Sequence, residues 1–187
     1  MTIEEDRINE TLPQLSPRAR TSLAIGCAER TMPFVEWYFG PRQGPAFQKA
    51  SDLCWTYAVG GSVAAPDLEA SYAHFDALAD KLYDKDEGGT PYLFAVMAYL
   101  FAIQSVSQPE AKVVQTSIGY SRGAACGEDK QQFHAAHTAE ETSWQALALN
   151  VALAMRSPTR DMFEHLPSNP KWLQSWRARK PPRPAGK

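Results

Sequence analysis

The sequence predicts an all-α chain, a single-domain bundle of about six to eight helices around one buried central helix. Three observations carry this. The stretch Thr90 to Gln108, TPYLFAVMAYLFAIQSVSQ, runs nineteen residues without a charged side chain, and a helix with no solvated face must be wrapped by others or lie in lipid. The segments on either side place apolar residues at three- and four-residue steps, the spacing of amphipathic helices. Neither a βαβ rhythm nor a fixed-period repeat interrupts them. Lipid is the weaker home for the central stretch, because Tyr92 to Ile103 is short for a hydrocarbon core of roughly 30 Å and its upstream flank, DKDEGG, is acidic. No membrane span is therefore expected. At 187 residues the chain is long enough to bury roughly 70% of its unfolded surface without staples. The helical domain is expected over 1–177, and a basic, Pro-rich, disordered tail over 178–187.

Met1 to Leu15 is polar and reads as a short helix or an arm. Ser16-Pro17 supplies an N-cap and a proline where the missing N–H costs nothing, opening a helix to about Met32 in which Leu23, Cys27, Arg30 and Phe34 share a face. Pro33 kinks or ends it, and Trp37, Tyr38 and Phe39 add aromatic bulk before the turn GPRQGP. A helix from about Ala46 to Val59 places Ala46, Ala50, Leu53, Cys54 and Tyr57 on one side and stops at Gly60-Gly61. The next, from Pro66-Asp67 to about Asp84, aligns Leu68, Tyr72, Phe75, Ala79 and Leu82 as a core-facing stripe. Thr90 caps the central helix ahead of Pro91, and Pro109 follows Gln108. Beyond it, Ala111, Val114, Ile118 and Ala125 keep helical phase while Gly119 and Gly123 lie one turn apart, small enough for close packing on the central helix. Glu128 to Arg156 reads as one long helix with Phe133, Ala136, Trp144, Leu147, Val151 and Ala154 aligned. Short helices around Arg160 to His165 and Pro170 to Arg177 complete the domain.

Cys27, Cys54 and Cys126 are odd in number, far apart and set among apolar or small neighbours, which suits buried thiols in a reducing compartment. The start, MTIEEDRINE, has no apolar h-region, so the expected address is the cytoplasm. Charge is uneven: all 21 acidic residues precede Lys171, while the rest of the chain holds six of the 19 basic residues and no acid. An acidic body favours a basic partner. Nucleic acid is not the expected partner: the tail's WRARKPPRP offers Arg and Lys with Trp172 and Trp176 for stacking, but a solvated terminus is the plainer reading.

The sharpest surface feature lies on the predicted Pro66 to Asp84 helix. Glu69, Asp76, Asp80, Asp84 and Glu87 follow one another at steps of seven, four, four and three, and so share a narrow stripe that continues into Asp86. Like charges at i,i+4 repel by a few tenths of a kcal/mol per pair, and Lys81 and Lys85 mix the signs only in part. A chain selected for stability alone interleaves them better, so the stripe reads as a docking surface for a basic partner, against the plainer reading of a solvated face. Trp172 and Trp176 form a second candidate contact, since tryptophan anchors favour interface centres.

Three patterns carry possible chemistry. His134, His137 and Glu141 form H-x-x-H-x-x-x-E, which can present three ligands to one metal from consecutive helical turns, or equally a half-buried His–Glu hydrogen bond. Gly119-Tyr120-Ser121-Arg122-Gly123 fits G-x-S-x-G, and with Val113 to Ile118 as a strand it would form a nucleophile elbow with Asp129 or Asp161 and His165. The helical first hundred residues provide no sheet to hold such an elbow. Cys27 and Cys54 lie on apolar faces without a nearby histidine, as inert thiols do.

Cys27-Ala28-Glu29-Arg30-Thr31-Met32-Pro33, followed by Ser51-Asp52-Leu53-Cys54-Trp55, resembles a group of small all-helical bacterial proteins with a C-A/C-E-R-x-x-P element ahead of an L-D-x-x-W-like one. That group includes immunity proteins of polymorphic-toxin and contact-dependent systems. The likeness covers Ser16 to Gly61; the basic tail and the Gly119 to Gly123 segment have no counterpart in it. It implies a non-catalytic protein that binds and silences a cognate toxin, without a cofactor or a metal. In physical terms, Glu29 and Arg30 stand on an apolar helix where at least one must turn inward, and a buried charge needs a partner. Pairing with Asp52, or with backbone groups freed at Pro33, would lock the first two helices. The expected function is thus occlusion of a toxin's basic active-site surface, with a homodimer also compatible. The alternative is a small hydrolase using Ser121 or a His134, His137 and Glu141 metal site.

Overall fold

The computed structural model describes residues 2–40, 42–84, 90–126, 134–155, 158–166 and 174, with the backbone alone at 126, 134 and 135. Among them every regular element is helical: α1 (Ile3–Thr11), a 3-10 turn (Leu12–Gln14), α2 (Pro17–Glu29), α3 (Met32–Phe39), α4 (Gly44–Ala58), α5 (Ala65–Tyr83), α6 (Pro91–Ser107), α7 (Ala111–Cys126), α8 (His134–Ala154) and α9 (Arg160–Glu164). The fold is an all-α bundle, as the apolar spacing requires. No described helix is long and apolar enough to cross a membrane. The tail from 178 and, Gln174 apart, the short helix expected at Pro170 to Arg177 lie outside the described residues.

Local chemistry sets the boundaries. Ser16 Oγ accepts from the Ala19 amide at 3.2 Å and Thr90 Oγ1 from the Leu93 amide at 3.4 Å, each just before a proline in the first turn. α4 ends where Gly60 takes φ +101°, a conformation that costs glycine nothing. Met32–Phe39 is a separate helix, where the sequence read only a kink and loose aromatics. Pro33 falls in its first turn, so that proline starts α3 as well as ending α2.

α6 is the wrapped rod. Leu93, Ala95, Val96, Tyr99, Ala102, Ile103 and Val106 are buried around its circumference, and only Ser107 is exposed. Its neighbours are α2, α3, α4, α5 and α7. Tyr99 stacks on Phe75 and meets Phe47 edge-on, joining α4, α5 and α6 in one aromatic core. α2 is a second enclosed helix, buried continuously from Thr21 to Ala28. Buried hydroxyls of both rods are satisfied internally: Thr21 Oγ1 of α2 donates to the Ser105 carbonyl at 3.0 Å, and Ser105 Oγ of α6 to the Ala102 carbonyl at 2.6 Å.

α8 is rotated from the face the sequence aligned. Leu147 and Leu153 are 44% and 45% exposed and Ala136 and Ala154 are also outward, while Glu141, Thr142, Gln145, Ala148, Leu149 and Ala152 are buried. Two polar anchors set this rotation: Glu141 meets Arg30, and Gln145 Nε2 donates to the Ile118 carbonyl at 3.2 Å. α1 lies across α7 and α8. Ile8 is its one buried residue, and its polar links are Asn9 to Gln115, Glu5 to Arg122, Glu4 to Ser143 and Arg7 to Asn150, all between 2.6 and 3.1 Å.

Candidate functional site

The Cys27 to Arg30 segment ends α2 at a junction of four helices. Cys27 is fully buried, and burial first, then the Glu141 charge, pushes its thiol far above the ordinary range; Cys54 is held up likewise by burial and then Glu29. Glu29 accepts from Ser51 Oγ and, at 3.1 Å, from Trp55 Nε1, both on α4, and pairs with Arg160 of α9 at 2.8 Å. Burial raises its carboxyl above the usual range, while the Ser51 bond and the Arg160 charge pull it back. Arg30 turns the other way. Its Nε donates to both Glu141 oxygens at 3.1 and 3.0 Å and its Nη2 to Oε2 at 2.9 Å, with its guanidinium carbon 4.2 Å from the Trp144 ring centroid.

Both charges face inward, but their partners differ from the expected ones. Asp52 is exposed and accepts from Gln48 Nε2 at 2.8 Å. One residue is a 100° turn of the helix, so Ser51 takes the inward place. Pro33 lies in the first turn of α3, where its missing N–H interrupts no helical bond, and Arg30 turns to Glu141 instead. The true partners, Glu141 and Arg160, are more than a hundred residues away and carry no spacing signal. Phe163 completes the junction, lying against Trp55 and Trp144 at ring-centroid distances of 5.5 and 6.4 Å. A Cβ on Gly26 would come within 2.8 Å of the Phe163 ring, so only glycine leaves room there. The junction is a lock: it fastens α4, α8 and α9 to the end of α2.

The acidic stripe lies on the surface. Glu69, Asp76, Asp80 and Asp84 are all exposed, and helical phase places them within about 80° of arc. None of their carboxylates makes an ion pair or hydrogen bond with another described residue, although Asp67 on the same helix is held by Lys49 at 2.7 Å. Tyr72 and Tyr83, 37% and 52% exposed, flank the acids on one side. Tyr72 was expected in the core; its phase is about 60° from Phe75, and Ser71, Phe75, Leu78 and Leu82 fill the inward face instead. Small residues, Ala70, Ala73 and Ala77, border the other side and are exposed. The surface is thus a line of carboxylates between tyrosine rings and a low alanine shelf. Asp86 and Glu87, and Trp172 and Trp176, lie outside the described residues.

The catalytic patterns come out differently. Ser121 is buried within α7, and its hydroxyl donates to the Ser117 carbonyl at 3.2 Å, one turn earlier. Val113 to Ile118 is helix, so the strand-turn-helix of a nucleophile elbow is not formed. Gly123 does serve close packing on α6, since a Cβ there would meet Phe94 at 2.9 Å, whereas Gly119 faces open space. Glu141 is committed to Arg30, on the buried side of α8, while His137 is half-buried. The His134 side chain lies outside what is described. Among the described residues no group of His, Cys, Asp and Glu converges as metal ligands.

Comparison with protein-family models, with curated proteins and with solved structures gave no match.

Proposed function

We propose that this chain is a non-catalytic, cytoplasmic immunity protein that neutralises a cognate toxin by covering its basic active-site surface with the acidic face of α5. One observation carries the reading: Glu69, Asp76, Asp80 and Asp84 stand exposed in one line without a described side-chain partner, while Asp67 on the same helix is paired with Lys49. Four unneutralised charges at helical spacing cost stability through repulsion, a cost offset when a positive surface docks on them. Unpaired charges of one sign also accelerate encounter with a basic partner. The tyrosines alongside supply the amphipathic contact area that interfaces favour. The likeness of the Cys27 to Pro33 and Ser51 to Trp55 elements to immunity proteins points to the same class of partner, an enzyme that grips an anionic substrate.

The test is replacement of Asp76, Asp80 and Asp84 together by lysine, assayed against an effector encoded beside this gene. All three side chains are exposed, so the helical circular-dichroism signal is expected to persist. Toxin binding and protection in cells are expected to be lost, and the wild-type association rate to fall by about tenfold or more on adding salt. Full protection by the triple variant would remove the α5 face from the account.

A further inference from the structure

Beside the stripe, α5 and the end of α6 enclose a groove of about 600 Å³ whose walls include Leu68, Glu69 and Tyr72 on one side and Ile103, Gln104 and Gln108 on the other. We propose that this groove is the anchor pocket for one arginine side chain presented by a partner protein.

The lining has the chemistry of an arginine in reverse. Ile103 is buried and Leu68 half-buried, giving an apolar floor for the aliphatic stem. Glu69 is exposed at the wall and has no described partner, and none of the lining residues is basic. Lys49, which neutralises the other acid at this end of α5, is spent on Asp67 at 2.7 Å. Gln104 Nε2 donates to Gln108 Oε1 at 2.8 Å, and no donor among the described residues reaches the Gln104 side-chain carbonyl. A guanidinium carries several N–H donors in a fixed plane, so it can meet Glu69 and the Gln104 carbonyl together, and it can lie on the face of Tyr72. An anion is excluded by Glu69, and an apolar side chain would leave the carboxylate and the amide carbonyl uncompensated. Sign and the pairing of acceptors with an apolar floor therefore select a guanidinium on an aliphatic stem. The anchor deepens the proposed function and rests on it only for which protein presents the arginine.

The experiment uses the full chain labelled with ¹⁵N and titrated with the capped tripeptide acetyl-Ala-Arg-Ala-amide. Its control is the peptide carrying citrulline, the uncharged isostere of arginine. Saturable shifts are expected at the Gln104 and Gln108 side-chain amides and at the backbone of Leu68 to Tyr72, with the citrulline peptide weaker by about two- to fivefold. Glu69→Gln should cost the arginine peptide the same factor, whereas Asp84→Asn, on the same stripe but outside the groove, should cost nothing. Equal binding of the two peptides, no saturable shift at the two glutamines, or equal effects of the two variants would overturn the pocket. So would a concentration-dependent rise in mass abolished by Glu69→Gln, which would give the groove to a second copy of this chain. If the peptide titrates as expected while the triple lysine variant still protects, the toxin reading falls and the pocket stands.

Discussion

Replacing Glu141 by alanine should be among the most damaging single changes in this chain. The carboxylate is 1% exposed and the Arg30 side chain 10%, so the substitution takes the Glu141 charge away from a guanidinium enclosed against Trp144. Three N–H to oxygen contacts, at 2.9 to 3.1 Å, disappear together. Breaking a buried pair from one side costs about 3–5 kcal/mol, and at this chain length that lowers the melting temperature by roughly 10 °C. Arg30→Met alone should lose a comparable amount by taking the guanidinium from an enclosed carboxylate. The double variant Arg30→Met/Glu141→Leu should recover to within ~1 kcal/mol of the parent, because replacing both partners removes the desolvation cost along with the attraction. Urea denaturation of the parent, Arg30→Met, Glu141→Leu and the double variant closes the cycle and gives the coupling energy directly. A loss below ~1 kcal/mol for Glu141→Ala, the size expected of an exposed pair, would refute the claim that this contact is a buried lock.

Three further outcomes follow from the same geometry. Glu29 has its carboxyl raised in the folded chain above its unfolded value near 4.5, chiefly by burial. Its contribution is therefore fullest below that value and is lost as pH rises through the folded one; Glu29→Gln should flatten the stability-against-pH curve in that window, as read by urea midpoints. Gly119→Ala should stabilise α7 by up to ~1 kcal/mol, since nothing lies within 4 Å of the added carbon, whereas Gly123→Ala drives a methyl into the Phe94 ring and should destabilise by about 1–3 kcal/mol; thermal melts compare the two. Thr142 Oγ1 is buried with no hydrogen-bond partner among the described residues, so Thr142→Val should be neutral or stabilising by ~1 kcal/mol, and a loss of that size in the same melts would reveal a missed partner.

The fold class was legible because its strongest signal, the charge-free run from Thr90 to Gln108, needs no long-range information. Caps at Ser16 and Thr90 and the stop at Gly60 were legible for the same reason. α8 was misphased because alanine is compatible with either face, so Ala136, Ala148, Ala152 and Ala154 could not choose between them, and the choice fell to two polar contacts with α2 and α7. α3 was hidden behind Pro33, a residue that closes one helix and opens the next with the same ring. The exposure of Glu69, Asp76, Asp80 and Asp84 was readable from their steps. The groove beside them was not, because Ile103 and Gln104 reach it from a helix that the sequence describes only as apolar. Arg30 and Glu141 are 111 residues apart, and no periodicity spans such a distance; the one cue was Arg30 itself, a charge set on an apolar helix.

The helix Ile3–Thr11 has a bearing on how the chain acquires its shape. Its four side-chain links reach residues 106, 117, 139 and 143 positions further on, and one apolar side chain, Ile8, supplies its burial. During synthesis it therefore emerges with nothing to hold and must wait until the α7–α8 surface has been made. It is the last piece to settle and, by the same token, the first that amide hydrogen exchange should find open.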